Sequence, residues 1–376
     1  MHVIEAMFTG GAESLVVEHV RRSAPDVASV VVALNRGGPA LEAAAAAGAE
    51  THVLGKGGAR WSGITRLARL LRASPVDIVN GHNPTGACYG TVAARLANVP
   101  VVVRTEHSIH YPGRGGFRGY GALEAAITVV DAAVVCVCEA ARASHASRLR
   151  WAERKFVTIA NGIDERVVPL HRASARTALG LAADARVVLT VGSLTPQKAQ
   201  DVLLEAFATI PARVPEALLL IAGEGRLEPA LRERHAALGL GERVRFLGAR
   251  RDVDALLAAC DVFVLSSVRE GLSVTLLEAM RAARACVATD VGGNPEAVAD
   301  GVNGRIVPVR DPDALAEALV QSLADPERTA SFGAAGRARF LERFTAARMV
   351  GQTEALYRSL LSCGQLPSPE ASHVRA

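Results

Sequence analysis

The sequence predicts an α/β protein built from two doubly wound domains. The chain has 376 residues, which is too long for one ordinary hydrophobic core and about right for two. Half of its residues are hydrophobic but only 4% are aromatic, which favours alanine-rich helices over an all-β sandwich. Short apolar runs alternate with helical stretches along most of the chain, as in parallel sheets with helices on both faces.

The first series of alternating elements forms a predicted N-terminal domain, residues 1–165. Its strands are expected at His2–Met7, Val27–Ala33, Asp77–Val79, Val99–Arg104, Ala132–Cys138 and Phe156–Ala160. Its helices are expected at Ala12–Arg22, Leu41–Gly48, Ile64–Ala73, after Pro84, and at Glu139–Leu149.

The second series forms a predicted C-terminal domain, residues 166–345. Its strands are expected at Val187–Val191, Ala217–Ala222, Val244–Phe246, Val262–Leu265, Ala285–Thr289 and Gly304–Val307. Its helices are expected at Asp201–Ile210, Leu227–Leu238, Val253–Ala259, from near Ser273, and at Pro312–Leu323. A final pair of amphipathic helices is expected to run to about Leu361. Residues 346–362 are expected to form a helix that returns to the N-terminal domain, and 363–376 a disordered tail. Two Rossmann-like domains in tandem are expected to face each other across a cleft at the carboxyl ends of their strands.

Charge and composition exclude several classes of protein. The net charge of +4, from 42 basic and 38 acidic residues, does not argue for nucleic-acid binding, although arginines on one face could meet an anionic membrane. The N-terminus lacks the basic region of a signal peptide, and the longest apolar run, Ala125–Cys138, is too short to span a bilayer. Six cysteines without C-x-x-C spacing are expected to be small core residues in a reducing compartment, not metal ligands.

The segment Asp261–Met280 carries the strongest chemical signal. Glu270 follows a buried strand, and Glu278 lies eight residues later in the helix that begins near Ser273. Continuous helix would hold the two carboxylates about 12 Å apart, beyond the ~5 Å of a retaining glycosidase pair. A loop that opens a helix instead offers free N–H groups to an anion. Carboxylates beside a phosphate accept hydrogen bonds from hydroxyl groups, which suggests a sugar and a ribose. A loop carboxylate and a solvated helix residue are the alternative.

Lys198 ends the loop that follows the first strand of the second domain. Its ammonium group could place a positive charge on a diphosphate leaving group. A solvated lysine is the alternative, but lysine is scarce in a chain whose basic residues are nearly all arginine.

Two glycine-rich turns also precede predicted helices. Gly10 and Gly11 would let a ligand approach a helix N-terminus closely, although an ordinary βα turn is the simpler explanation. Gly223 and Gly225 are interpreted as a turn, because Glu228 stands at the third glycine of a dinucleotide fingerprint. A hydride-transfer enzyme is therefore a weak rival.

Two histidines follow strands of the first domain. His82 and His107 lie just past the ends of two strands, so both are expected at the carboxyl edge of one sheet. A lone histidine there is usually structural, but two at the same edge favour a binding site.

The segment EGLSVTLLEAM (270–280) resembles the glutamate–seven–glutamate signature of the large retaining family of nucleotide-sugar glycosyltransferases (glycosyltransferase family 4-like, group 1) with the GT-B fold. The resemblance extends from GGAE (10–13) through NGID (161–164) and VGSLTPQK (191–198) to ATDVGGNPEAV (288–298), and it is weakest between residues 35 and 75. Most of the chain is therefore covered.

The resemblance implies roles for individual residues. Glu270 would hold donor-sugar hydroxyls, Glu278 would hold the ribose, and Lys198 would stabilise the leaving diphosphate. His107 would lie beside the donor sugar, and His82 would line the acceptor site. The backbone N–H groups of Gly271, Leu272 and Ser273 would donate hydrogen bonds to phosphate or sugar. Ser193 occupies the donor-loop position where the family has an arginine, which puts the usual two-cation clamp in doubt.

The resemblance thus implies a retaining, metal-independent hexosyltransferase that needs no cofactor besides its nucleoside-diphosphate sugar, such as a UDP or GDP sugar. Its acceptor would be a glycan, a lipid-linked or a small molecule, as in polysaccharide biosynthesis. The protein would be cytoplasmic, with possible contact to the inner membrane face through residues 111–120. A nucleotide-sugar 2-epimerase and a non-catalytic nucleotide-sugar-binding homologue are the alternatives.

Overall fold

The computed structural model describes residues 1–8, 10–56, 60–109, 120–167 and 170–363. It divides into two compact units, one of residues 1–164 together with the segment from Ala346, the other of Glu165–Thr345. The sequence suggests a membrane contact for the arginine- and glycine-rich segment 111–120 and disorder for the tail 363–376. Except for Tyr120 and Cys363, both segments lie outside the described residues.

The first unit contains a parallel sheet of seven strands. They are β1 (His2–Ala6), β2 (Val30–Arg36), β3 (Glu50–Val53), β4 (Ile78–His82), β5 (Val101–Glu106), β6 (Ala133–Cys136) and β7 (Phe156–Thr158). Their order is β3-β2-β1-β4-β5-β6-β7. The helices are α1 (Gly11–Arg22), α2 (Pro39–Ala46), α3 (Arg60–Ala73), α4 (Asn83–Leu96), α5 (Tyr120–Val130), α6 (Glu139–Ala146) and, from the end of the chain, α15 (Ala346–Cys363).

The second unit contains a parallel sheet of six strands. They are β8 (Arg186–Val191), β9 (Ala217–Ala222), β10 (Val244–Gly248), β11 (Val262–Leu265), β12 (Ala285–Thr289) and β13 (Gly304–Val307), in the order β10-β9-β8-β11-β12-β13. The helices are α7 (Arg172–Ala178), α8 (Gln200–Thr209), α9 (Glu228–Ala237), α10 (Val253–Ala259), α11 (Val274–Arg281), α12 (Asn294–Ala297), α13 (Pro312–Ala324) and α14 (Pro326–Arg343). The predicted class of two doubly wound α/β domains is confirmed.

Successive side chains of the buried strand β2 lie on opposite faces of the first sheet. On β2, Val31 and Ala33 pack with α1 and α2, whereas Val30, Val32 and Leu34 pack with α3 and α4. A strand that is covered on both faces is apolar at successive positions. The segment VVVAL is therefore recognisable as a strand although polar and apolar residues do not alternate in it.

Four elements escaped the sequence analysis. They are β3, α5, α7 and α12. Strand β3 (ETHV) is a polar edge strand, and α12 is a single turn of four residues. The apolar run Ala125–Cys138 contains the end of α5 and all of β6, which meet at the buried Asp131.

Both sheets reverse their strand order at one point. The reversal lies between β1 and β4 in the first sheet, and between β8 and β11 in the second. Ligands of such sheets bind at this switch point, beyond the carboxyl ends of the strands. Among the described residues, no helix combines the length and apolarity needed to cross a bilayer.

Candidate functional site

Lys198 and Glu270 meet at the switch point of the second sheet. Lys198 lies in the loop after β8, Glu270 lies in the loop after β11, and Lys198 Nζ is 2.6 Å from Glu270 Oε1. The carboxylate is buried, whereas the lysine side chain is 17% exposed. Residues 72 positions apart in the chain therefore form one ion pair at the place where the fold predicts a ligand.

Two further hydrogen bonds hold the two loops together, and a third lies within the loop after β11. Ser266 Oγ donates to the Lys198 carbonyl at 2.9 Å, and the Val268 amide donates to the Gln197 carbonyl at 2.9 Å. Ser267 Oγ donates to Glu270 Oε1 at 2.6 Å, so this oxygen accepts from both a hydroxyl and an ammonium group. Ser266 and Ser267 give no signal in the sequence, because serines after a strand resemble ordinary loop residues.

The N-terminus of α11 begins directly after these loops. Ser273 is its N-cap residue, but the Ser273 hydroxyl bonds to the Thr275 hydroxyl at 3.1 Å and does not cap the helix. The first-turn amides therefore stay free of a side-chain cap, and Gly271 and Leu272 lie buried beside them. Such an N-terminus favours an anion. The predicted contact of this loop with phosphate or sugar stays a prediction.

Glycines allow the surrounding backbones to approach each other closely. Gly292 has a φ of +56°, and a Cβ there would lie 2.2 Å from the Glu270 carbonyl oxygen. A Cβ at Gly223 would lie 1.9 Å from the Gly192 carbonyl oxygen, and one at Gly225 2.5 Å from that of Leu194. The Gly223-Glu224-Gly225 turn thus packs against the loop that leads to Lys198, which gives its glycines a structural explanation.

Glu278 lies half-buried on α11, and its carboxyl group has no hydrogen-bond partner among the described residues. Burial raises the pKa of its carboxyl to about 7, with a smaller contribution from Asp254, while Arg281 acts in the opposite sense. A carboxyl group whose pKa is close to 7, and whose oxygens have no other partner, can both accept hydrogen bonds from hydroxyl groups and donate to them. Its assignment to the ribose stays a prediction.

Ser193 is exposed in the loop after β8. Its hydroxyl lies 3.4 Å from the Thr195 hydroxyl, and its carbonyl accepts from Gln200 Nε2 at 3.0 Å. Ser193 carries no charge, so it cannot supply the second cation that the family's arginine would bring.

The first unit holds the other predicted site residues. His82 is buried, with Nδ1 2.9 Å from His107 Nε2 and Nε2 2.9 Å from His2 Nδ1. Burial lowers the pKa of His82 well below its usual value, helped by the neighbouring His107, and burial lowers the pKa of His107 to about 4. Both rings are therefore neutral at pH 7. The structure brings His82 and His107 together; their assigned roles stay predictions.

Gly10 and Gly11 begin α1, with Gly10 as the N-cap residue. A Cβ at Gly10 would lie 2.4 Å from Glu13 Oε2, which shows that this carboxylate folds back over the helix N-terminus. Burial raises the pKa of Glu13. An anion could bind at this turn only after the Glu13 carboxylate had moved away or taken up a proton. The predicted ligand contact of the two glycines stays a prediction.

A buried charged network behind His107 also escaped the sequence analysis. Arg104 is fully buried, and its Nε lies 3.5 Å from both Glu106 and Asp131. His145 bonds to Glu124 at 2.6 Å and to the Ser108 carbonyl at 3.2 Å. Nothing in the sequence signals this network, because its members come from β5, α5, α6 and the loops after β5 and α5.

Residues 172–339 match the family described as Glycosyl transferases group 1, and residues 9–167 match Glycosyltransferase Family 4. The UDP-Gal:alpha-D-GlcNAc-diphosphoundecaprenol alpha-1,3-galactosyltransferase of Escherichia coli is 30% identical over 68% of this chain and 68% of its own length. The D-inositol 3-phosphate glycosyltransferase of Thermobispora bispora is 32% identical over 79% and 75%. The structure of Anabaena HepE in complex with UDP-glucose superposes with a TM-score of 0.82 at 22% identity, over 96% of this chain and 100% of that one. The predicted GT-B fold is confirmed.

Proposed function

This chain belongs to the group 1 glycosyltransferases, and on that premise we propose that it transfers a hexose from a nucleoside-diphosphate sugar to an acceptor hydroxyl with retention of anomeric configuration. The observation that carries this proposal is the Lys198–Glu270 pair beside the uncapped N-terminus of α11. A cation and a helix N-terminus stabilise a leaving diphosphate, and a carboxylate holds sugar hydroxyls.

In the proposed reaction, the bond between the sugar C1 and the diphosphate oxygen breaks as the acceptor oxygen attacks C1 from the same face. The acceptor proton passes to the departing phosphate oxygen. Lys198 and the first-turn amides of α11 stabilise the charge that develops on the diphosphate. The reaction then needs neither a protein nucleophile nor a metal ion.

The ion pair limits how a bound nucleotide sugar can contact Glu270. Glu270 Oε1 already accepts from Lys198 and Ser267. A sugar hydroxyl can bond to the second carboxylate oxygen, or the diphosphate can draw the ammonium group away from Glu270. In both cases the loops after β8 and β11 act as one unit, because the backbone of Lys198 is hydrogen-bonded to Ser266.

We further propose a lipid-linked or glycan acceptor at the cytoplasmic face of a membrane. The relative from Escherichia coli is named for a diphosphoundecaprenol-linked acceptor. In this chain, α3 contains no acidic residue, and it exposes Arg66, Arg69 and Arg72 together with Trp61, which is 74% exposed. A basic helix face with an exposed tryptophan suits an anionic lipid surface.

The first experiment is a metal-free binding screen by calorimetry and thermal shift with UDP, GDP, ADP and their common sugars. We expect one nucleotide to bind tightly, and the variant Glu278→Ala to lose that binding. The variant Glu233→Ala, with an exposed carboxylate on α9, is the matched control. Absence of binding by every nucleotide would refute the proposed donor site.

Turnover separates the proposed transferase from its two rivals. A nucleotide-sugar 2-epimerase would convert the donor without any acceptor. A binding protein would hold the nucleotide sugar without converting it, which the uncharged Ser193 makes a specific alternative. Acceptor-dependent release of the nucleoside diphosphate, abolished in Lys198→Ala, supports the transferase.

A further inference from the structure

Three histidines of the first unit form an unbroken hydrogen-bonded row. His107 Nε2 lies 2.9 Å from His82 Nδ1, and His82 Nε2 lies 2.9 Å from His2 Nδ1. Adjacent rings are nearly parallel, with centroids 5.3 Å and 5.2 Å apart. The row starts on β1, crosses β4 and ends just after β5, so it spans three neighbouring strands of the sheet.

The three rings are neutral at physiological pH. Burial lowers the pKa of His2 and His82 well below the usual value, and neighbouring imidazoles lower them further. Burial also lowers the pKa of His107 to about 4. A neutral imidazole has one N–H donor and one nitrogen lone pair.

Neutrality leaves the row only two arrangements of protons. Each link needs one proton, and His82 cannot donate or accept at both nitrogens while it stays neutral. In the first arrangement, His2 Nδ1 donates to His82, His82 Nδ1 donates to His107, and His107 carries its own proton on Nδ1. In the second, all three rings carry the proton on Nε2 and every bond points the other way. The tautomer of His107 is therefore coupled to that of His2.

The free end of the row distinguishes the two arrangements. His107 Nδ1 is buried and has no hydrogen-bond partner among the described residues. In the first arrangement this nitrogen carries a proton, and in the second it carries a lone pair. An Nδ1–H on His107 can donate to any oxygen of a nucleotide sugar, whereas a lone pair there would suit hydroxyl groups alone.

A small cavity of about 40 Å³ runs beside the row. Its polar lining comes from the three rings and from His19, Asn80, Thr105, Asn161 and Thr353. This volume is enough for an ordered water molecule. His19 packs edge-on against His2, with ring centroids 4.7 Å apart, but takes no part in the row of bonds.

We propose that His2 and His82 are positioning residues that fix the tautomer of His107, so that His107 presents Nδ1–H as a hydrogen-bond donor to an oxygen of a ligand bound at the first unit. The ligand contact rests on the proposed function, but the tautomer does not. His2, which lies two rings away from that contact, then determines the direction of the hydrogen bond that His107 makes.

The direct test is to read the three tautomers by long-range ¹H–¹⁵N correlation NMR on the full chain labelled with [¹⁵N]histidine. We expect the proton on Nδ1 of His2, His82 and His107 alike. A mixture of Nδ1–H and Nε2–H among the three rings would contradict a continuous row of hydrogen bonds between them. Nε2–H on all three would overturn the assignment of His107 as a donor. This measurement needs neither substrate nor activity, so its outcome is independent of the proposed function.

Variants test the coupling itself. His2→Phe keeps an aromatic ring but removes both nitrogens, so His107 should become a mixture of tautomers and kcat/KM should fall about tenfold, the effect of one hydrogen bond. His2→Gln, which can still donate to His82, should restore part of the Nδ1–H population. His19→Phe is the matched control and should leave the tautomer of His107 unchanged. An unchanged tautomer in His2→Phe would overturn the positioning role, whereas failure of that variant to fold would leave the wild-type spectrum as the deciding result.

Discussion

Lys198 Nζ lies 2.6 Å from Glu270 Oε1, although the two residues come from loops after different strands. The switch in strand order places β8 and β11 side by side, so the loops at their carboxyl ends converge. Ser266, Ser267 and Val268 then fix the geometry through hydrogen bonds to both loops.

Replacement of Glu270 by alanine should abolish sugar transfer. The variant loses the carboxylate that accepts from Lys198 and Ser267 and that is proposed to hold sugar hydroxyls. Transfer should be measured as acceptor-dependent release of nucleoside diphosphate, with Glu317→Ala, an exposed carboxylate on α13, as control. Retention of more than about a tenth of the wild-type rate, a loss of less than about 1.4 kcal/mol in the barrier, would contradict the assigned role.

Gly292→Ala should damage the site more than Gly301→Ala, although both glycines have a positive φ, +56° and +72°. Alanine at Gly301 meets no atom within 4 Å and should cost only the backbone strain, about 1–2 kcal/mol of the free energy of unfolding. Alanine at Gly292 would also press on the Glu270 carbonyl oxygen at 2.2 Å. Chemical denaturation should therefore show a larger loss of stability in Gly292→Ala than in Gly301→Ala. The transfer assay should show lost activity in Gly292→Ala alone. Equal effects of the two variants would refute the close contact.

The stability of the second domain should depend on pH through Glu278. Burial raises the pKa of this carboxyl from 4.5 to about 7, so between these values the folded state binds a proton that the unfolded state has released. The free energy of unfolding should therefore fall as the pH rises from 4.5 to about 7 and level off above. Glu278→Gln should lack this decline in urea unfolding, whereas Glu233→Gln should keep it. Parallel pH curves for wild type and Glu278→Gln would show that the carboxyl is not protonated in the folded protein.

Arg104→Met should strongly destabilise the first domain. The guanidinium is fully buried beside Glu106 and Asp131, and burial raises the pKa of Asp131 to about 7 against the opposing effect of Arg104. Removal of one partner from such a buried network costs about 3–5 kcal/mol, because it leaves buried charge without compensation. The free energy of unfolding of the first domain measures this loss. Asp131→Asn added to Arg104→Met should recover part of it; a double variant as unstable as the single one would argue against the ion pair.

Charge reversal on α3 should weaken binding to anionic vesicles. Arg69 and Trp61 are exposed on this helix, which has no acidic residue. Loss of one basic side chain near an anionic surface costs about 1 kcal/mol, so Arg69→Glu should reduce binding at least about fivefold in vesicle sedimentation. Arg305→Glu, in the second domain, is the control. Equal binding of neutral and anionic vesicles would contradict the electrostatic contact.

Much of the fold could be predicted from local sequence. The predicted bounds of β9, β11 and β12 match the observed ones, because buried parallel strands are continuous apolar runs between turn residues. Edge strand β3 and the single turn α12 were missed, because an exposed strand and a four-residue helix lack such a pattern.

By itself, the sequence determined the two βα series, the family, and the loops that carry Lys198 and Glu270, because each of these depends on residues close together in the chain. Only the tertiary structure decided which of these residues touch. The pairing of Lys198 with Glu270 depends on the strand order, and the row of His2, His82 and His107 depends on the register of three parallel strands. His2 carried no signal of its own, because a histidine at the start of a strand acquires a role only from the rings that the sheet places beside it.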